Sequence, residues 1–130
     1  MAKYANSYDT DALLREPAVH SQLQKLLGPQ IAMLRHNLFV KGAVDVIGGA
    51  LQVEGNAPHG GTEEEAVVCV SPMGPIVQAA IYSKGKFTVY AADGTYENLM
   101  RCIKDWITQV NSQHIDRLRQ PENVLVVKPR

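Results

Sequence analysis

Apolar residues recur at helical spacing through the first 38 positions of the chain. Asp9-Thr10-Asp11 predicts the start of a first helix. Pro17 suits the first turn of a second helix, where its missing N–H would have no intrahelical partner in any case. Gly28-Pro29 ends that helix, and residues 30–38 predict a short third one. The apolar positions on these two helices are Val19, Leu23, Leu26, Leu27, Ile31, Leu34 and Leu38.

The middle of the chain is rich in Val, Ile and Leu and predicts β-strands. Gly48-Gly49 gives a turn within the first apolar stretch, and Pro72-Met73-Gly74-Pro75 is a strong turn signal. A hairpin loop follows at 83–86. Because short links join consecutive strands, the pattern predicts an antiparallel sheet. The predicted strands lie within residues 43–53, 66–71, 76–82 and 87–92.

A longer amphipathic helix follows the sheet, with Thr95 as its predicted N-cap after Asp93-Gly94. An apolar stripe of this kind must lie against the sheet, so Trp106 is predicted to be a core residue rather than a platform for a ligand. After about residue 113 the chain becomes polar, and Val124 to Val127 predicts a short edge strand. The stripe consists of Leu99, Met100, Ile103, Trp106, Ile107 and Val110.

The order of these elements predicts one domain of the α+β class over residues 1–130. We expect two layers, an antiparallel sheet of about five strands with helices packed on one face. The chain has 130 residues, of which 45% are apolar. That is enough to bury a core without a covalent or metal staple.

The charge balance narrows the range of partners. Thirteen basic side chains match thirteen acidic ones, which lacks the broad positive field that nucleic-acid binding uses. No basic amphipathic face suggests a membrane surface, and no apolar run reaches the roughly 20 residues of a membrane span. Residues 1–8 lack the apolar stretch of a signal peptide. We expect a cytoplasmic location for the chain as given, and a periplasmic one if a signal peptide has been removed.

The two cysteines lie in apolar surroundings. Cys69 is in the run Val67-Val68-Cys69-Val70, and Cys102 is in the amphipathic helix. Buried free cysteines that act as small apolar residues are the favoured interpretation. A disulfide between sheet and helix is the alternative, and it requires an exported protein.

No motif in the sequence indicates catalysis. The chain has no nucleophile elbow, phosphate loop or dinucleotide fingerprint. His20, His36, His59 and His114 are too scattered for a local metal site. We therefore expect a non-enzymatic binding protein without a cofactor or a metal. A catalytic site assembled from distant carboxylates is the alternative, and it predicts a polar cleft.

The segment from Gly55 to Glu65 is longer than a tight hairpin needs, and long loops are often functional. Pro58 fixes one backbone angle just before His59, so the imidazole is presented from a partly preset turn. Gly60-Gly61 allows a close approach to a partner. Three glutamates at 63–65 place negative potential beside the loop. A solvated loop without a binding role is the simpler alternative.

At this segment the chain resembles the Ivy family, the bacterial inhibitors of vertebrate (c-type) lysozyme. That family carries a loop Cys-Lys-Pro-His-Asp-Cys, closed by a disulfide, whose His plugs the lysozyme active site. Here the stretch reads Asn56-Ala57-Pro58-His59-Gly60-Gly61, so Pro58 and His59 match in order while both loop cysteines are replaced. The order of elements is similar over roughly residues 10 to 110.

The resemblance implies a protein partner, a lysozyme or another muramidase, whose cleft the loop occludes with His59 against the catalytic carboxylates. It also implies that the protein pairs as a homodimer. The absent loop cysteines favour an alternative, an intracellular interaction or immunity-type protein with a different partner. The candidate partner-binding residues are Asn56, Ala57, Pro58, His59, Gly60, Gly61, Glu63 and Glu64.

Overall fold

Three short helices precede the sheet, as the sequence predicts. The structure is a computed structural model that describes residues 2–58, 63–113 and 123–129. Short 3-10 turns lie at Ala2–Tyr4, Gly28–Gln30 and Tyr96–Asn98. The α-helices in this part of the chain are α1 Thr10–Arg15, α2 Pro17–Leu27, α3 Ile31–Asn37 and α4 Arg101–Ser112.

The strands form one mixed sheet. Within the described residues it has seven strands, which are β1 Val40–Lys41, β2 Asp45–Ile47, β3 Ala50–Asn56, β4 Glu64–Ser71, β5 Ile76–Ser83, β6 Lys86–Tyr90 and β7 Val124–Val127. They lie in the order β1-β3-β4-β5-β6-β7, with β2 also paired to β3. All pairs are antiparallel except β6 with β7, which is parallel. The antiparallel pairs confirm the prediction of an antiparallel sheet. The predicted number of about five strands was too low. Strand β7 also departs from the prediction, because it runs parallel to β6.

Helices cover both faces of the sheet, so the prediction of two layers with helices on one face is wrong, although the α+β class is confirmed. Alternation along β4 sends Val68 towards α1–α3 and Cys69 towards α4. The central strands are apolar on both faces because each face is covered. One core contains Leu13, Val19, Leu23, Leu34, Val53, Val68 and Ile81, and the other contains Tyr82, Phe87, Val89, Ile103, Trp106 and Ile107.

Strand β5 is bonded to both helical layers through glutamine side chains. Gln22 of α2 donates to the Pro75 carbonyl oxygen at 2.7 Å and accepts from the Val77 N–H at 3.0 Å. On the other face, Gln78 Oε1 accepts from the Met100 N–H at 2.8 Å. These bonds satisfy backbone groups at the edge of each layer and fix where α2 and α4 lie on the sheet.

Helix α4 begins at Arg101, so the prediction that Thr95 caps it is wrong. The N–H and hydroxyl of Thr95 both donate to Asp93 Oδ1, at 2.9 and 2.7 Å, in a local turn. Short polar side chains form such turns in competition with helix capping. The apolar stripe of α4 is confirmed, and Trp106 is 1% exposed within the core.

Cys69 and Cys102 form a disulfide, with their Cα atoms 6.2 Å apart. The prediction of two free cysteines is therefore wrong. Sequence could not place the two residues together because β4 and α4 meet only through the fold. The bond covalently joins the central strand to the helix on its face.

The outer edges of the sheet are β1 with β2 on one side and β7 on the other. Such edges can pair with another chain, and the homodimer stays a prediction. No helix among the described residues is long and apolar enough to cross a membrane.

Candidate functional site

Strands β3 and β4 flank the Pro58-His59 segment along the chain. Asn56, the last residue of β3, lies opposite Glu65 in the antiparallel register. One step further, the Ala57 N–H donates to the Glu64 carbonyl oxygen at 3.0 Å. Ala57 is buried, with 1% of its surface exposed. The strands are therefore still paired at the base of the segment, and Ala57 is buried there.

The candidate residues divide into two groups. His59, Gly60 and Gly61 lie outside the described residues. Asn56 and Pro58 are half-buried at the base of the segment, and Asn56 Nδ2 donates to the Ala57 carbonyl oxygen at 3.1 Å. Ala57 contributes packing rather than an exposed contact surface.

The glutamates that follow differ from one another in their surroundings. Glu63 is exposed, whereas Glu64 is half-buried on the face covered by α1–α3. Glu64 Oε1 accepts from the Ser83 hydroxyl at 3.0 Å, and Asn37 Nδ2 lies 3.5 Å from Glu64 Oε2. The Glu64 carboxylate thus forms its hydrogen bonds within the protein and joins the start of β4 to the end of β5.

Asn37, at the end of α3, binds the same region of the sheet. Its Nδ2 atom donates to the carbonyl oxygen of Glu65 at 3.2 Å and to that of Tyr82 at 3.3 Å. Asn37 is fully buried, so these bonds form away from water, where losing one is costly. One side chain therefore fixes a helix, β4 and β5 beside the base of the segment.

An acidic pair lies on the opposite face of the same strands. Burial first, and then the negative charge of Glu54, raise the pKa of Glu65 to about 7. Burial and the charge of Asp45 raise the pKa of Glu54 as well. Glu65 Oε2 is buried and has no hydrogen-bond partner among the described residues. The negative potential predicted beside the segment is therefore smaller at neutral pH than three ionised glutamates would give.

The backbones of β1 and β3 approach closely at this base. A Cβ atom at Gly55 would collide with the Val40 carbonyl oxygen, so a side chain there would push β1 away from β3. A cavity of about 400 Å³ lies alongside, lined in part by Glu54, Asn56 and Glu65.

Sequence reasoning missed Asn37 as a residue that shapes the site, and it predicted a negative charge at Glu65 rather than a raised pKa. Asn37 carried a detectable signal, because a short polar residue lies between the buried positions Leu34 and Leu38 of the helix. Such a residue must find partners within the core. The raised pKa of Glu65 had no signal, because it depends first on burial of the side chain in the fold and then on the charge of Glu54 from another strand.

The described residues contain no group of three or more His, Cys, Asp or Glu side chains that could hold a metal ion. His36 is exposed at the end of α3, and His20 is half-buried on α2. His114 lies outside the described residues.

Comparison of the chain with known protein families gives a match. A family model described as inhibitor of vertebrate lysozyme (Ivy) matches residues 18–113, which include the Pro58-His59 segment and both strands that flank it. Comparisons with curated proteins and with solved structures find no match to the chain. Because the match covers well over half of the 130 residues, the chain belongs to the Ivy family of vertebrate lysozyme inhibitors.

Proposed function

We propose that this protein inhibits a c-type lysozyme by inserting the segment between β3 and β4 into the active-site cleft. Pro58 would set the approach of the backbone, and the His59 imidazole would hydrogen-bond to the catalytic carboxylates of the enzyme. The observation that carries the proposal is the family match, which runs through Pro58 and His59. Members of this family are inhibitors rather than enzymes, so the protein acts by binding.

The architecture at the base of the segment supports this role. A loop that blocks a cleft must resist displacement, and ordering a flexible loop on binding costs affinity. Here the Ala57–Glu64 backbone bond and the buried Asn37 side chain hold both ends of the segment. We propose that this anchoring replaces part of the restraint that a loop disulfide gives to other members.

The acidic residues would contribute attraction to a cationic enzyme. Glu63 is the exposed member of the group, whereas Glu64 is half-buried. Glu65 gains charge only as the pH rises through about 7. We therefore propose that Glu63 makes the main electrostatic contact beside the loop, and that its effect is on association rate more than on affinity.

The Cys69–Cys102 disulfide supports an exported protein. Disulfides persist in oxidising compartments and are rare in the reducing cytosol. We propose that the protein works in the periplasm or outside the cell, where a lysozyme can be met. This favours lysozyme inhibition over the intracellular alternative with a different partner.

Calorimetric titration against a vertebrate c-type lysozyme tests the proposal, with lytic activity measured in parallel. His59→Ala should weaken binding by at least about thirtyfold if the imidazole is the plug, because truncating a hot-spot residue at the centre of an interface costs about 2 kcal/mol or more. His36→Ala is the matched control, since it removes an exposed imidazole outside the segment.

Each outcome bears on a different part of the proposal. Inhibition that survives His59→Ala would show that the imidazole is not the plug, while leaving lysozyme as the partner. If the wild-type protein neither binds nor inhibits any c-type lysozyme tested, lysozyme inhibition itself is wrong for this member of the family.

A further inference from the structure

A second cavity lies far from the Pro58-His59 segment along the chain, among the N-terminal helices. Its volume is about 800 Å³, within the range of roughly 300–1,000 Å³ found for small-molecule sites. Its floor contains Leu23, Leu34 and Leu38, each at most 4% exposed. Leu14 and Ile31 are half-buried on its wall.

An exposed aromatic residue forms part of the lining. Phe39 lines the cavity although 71% of its surface is exposed to solvent. A large apolar side chain in this position adds a contact surface that the protein's own core does not use. The cavity is therefore an open apolar groove rather than a packing defect within the core.

The rim of the groove is basic in a chain of zero net charge. Arg15, Arg35 and Lys41 line it, together with a single carboxylate, that of Asp11. Lys41 pairs with Asp11 at 3.0 Å. Neither Arg15 nor Arg35 has an ion pair within the described part of the chain, and both are exposed.

We infer that this groove binds a single-chain amphipathic carboxylate, such as a free fatty acid. The chain would lie against the leucine floor and Phe39, and the carboxylate would meet Arg15 and Arg35. An arginine guanidinium matches a carboxylate in charge and in planar geometry. The Lys41–Asp11 pair would limit the groove on the side of β1. This inference is independent of lysozyme inhibition.

Titration calorimetry with octanoate, decanoate and dodecanoate below their micelle-forming concentrations tests the inference on the full chain. Dodecan-1-ol serves as the neutral ligand of matched length. We expect saturable binding at one site and tightening by up to about fourfold for each added methylene. The alcohol should bind at least about tenfold more weakly than the acid, since it lacks the charge-assisted bonds.

Three variants locate the site. Arg15→Gln and Arg35→Gln should each weaken dodecanoate binding by about tenfold, and Phe39→Ala should weaken it several-fold through lost apolar contact. These side chains are exposed, so folding is expected to be unchanged. Lys25→Gln is the matched control, because it removes an exposed cation on α2 that does not line the groove.

Several results would overturn the inference. These are no saturable binding, equal affinity for the acid and the alcohol, or arginine variants that bind like Lys25→Gln. Binding to anionic lipid vesicles without binding to monomeric dodecanoate would assign the groove to a membrane surface instead. Self-association that the arginine variants abolish and dodecanoate does not disrupt would assign it to a second copy of the chain.

Discussion

Asn37 Nδ2 donates to the backbone carbonyl oxygen of Glu65 at 3.2 Å, which ties the end of α3 to the strand that follows the Pro58-His59 segment. The same atom also reaches the Tyr82 carbonyl oxygen. The side chain is fully buried, so water cannot replace these bonds without opening the helix layer. Asn37 thus joins the helical layer to the strand at the base of the candidate inhibitory segment.

Asn37→Ala should lower the free energy of unfolding by about 1–3 kcal/mol, because it removes both hydrogen bonds by which the Asn37 side chain joins α3 to β4 and β5. It should also weaken lysozyme binding, since the base of the segment loses an anchor. Urea unfolding followed by circular dichroism measures the first effect, and calorimetry measures the second.

Asn98→Ala is the matched control for this prediction. Asn98 is exposed and its Nδ2 donates to Asp93, away from both cores. A surface change of this kind should alter stability by no more than about 0.5 kcal/mol. If the Asn37 and Asn98 variants were equally stable, Asn37 would not hold the layer of helices α1–α3 on the sheet.

The pKa of Glu65 makes stability depend on pH. Its folded value of about 7 lies above the ordinary 4.5, so the folded state retains a proton that the unfolded chain releases. Ionisation of Glu65 therefore destabilises the folded state relative to the unfolded chain. This loss of stability is absent below about pH 4.5, grows as the pH rises, and is complete above about pH 7. The full shift corresponds to about 3 kcal/mol, and partial exposure reduces the expected effect to about 1–2 kcal/mol.

Glu65→Gln should therefore stabilise the protein at pH 8 relative to the wild type by about 1–2 kcal/mol more than it does at pH 4.5. Unfolding measured at both pH values checks this. Glu97→Gln, which removes an exposed carboxylate in a 3-10 turn, is the control. A Glu65→Gln difference that did not change with pH would contradict the raised pKa.

The helices and most strands could be predicted from the sequence because their signals are local. Pro17 begins α2, Gly48-Gly49 joins β2 to β3, and the apolar stripe of α4 was visible at its full length. Strand β1 was missed because it has two residues and is defined only by pairing with β3.

The layering could not be read from periodicity alone. An apolar run such as Val67-Val68-Cys69-Val70 fits a strand covered on either one face or both. Alternating residues of β4 in fact contact different helices. The disulfide could not be predicted for the same reason, because Cys69 and Cys102 meet only when α4 crosses the face opposite α1–α3.

The candidate site shows a similar division. Pro58 and His59 could be proposed from the sequence because the motif is contiguous, and their role stays a prediction. The residues that hold its base were not found, because Asn37 and Ser83 come from elements far away in the chain. Local sequence therefore indicates candidate contact residues, and the fold brings together the residues at the base of their segment.

The disulfide should contribute substantially to stability. Cys69 and Cys102 are 33 positions apart. Closing a loop of that length lowers the entropy of the unfolded chain, which raises the free energy of unfolding by about 3–4 kcal/mol. The double variant Cys69→Ala with Cys102→Ala should unfold at correspondingly lower urea concentration. In the presence of a reductant, the wild type should unfold at nearly the same urea concentration as this double variant.

Alkylation distinguishes the bond from two buried thiols. Denatured, unreduced protein should resist iodoacetamide at both cysteines, whereas reduced protein should react at both, as read by mass spectrometry. Full alkylation without reduction, from protein purified under oxidising conditions, would show that the thiols are free in the isolated protein.

Phe87 and Trp106 connect the sheet to α4 by an edge-to-face contact, with ring centroids 5.4 Å apart and planes at 82°. Both side chains are 1% exposed, so substituting either leaves unfilled volume in the core. Trp106→Phe and Phe87→Leu should each cost about 1–3 kcal/mol of unfolding free energy.

The two changes should not be additive, because each removes part of the same contact. The double variant should lose about 0.5–1.5 kcal/mol less than the sum of the single losses, which is the range measured for aromatic pairs. Urea unfolding by circular dichroism gives all four values of the cycle. Tyr8→Phe, at a side chain 83% exposed, should change stability by no more than about 0.5 kcal/mol. Strict additivity of the two core substitutions would show that α4 is held by burial alone rather than by the Phe87–Trp106 contact.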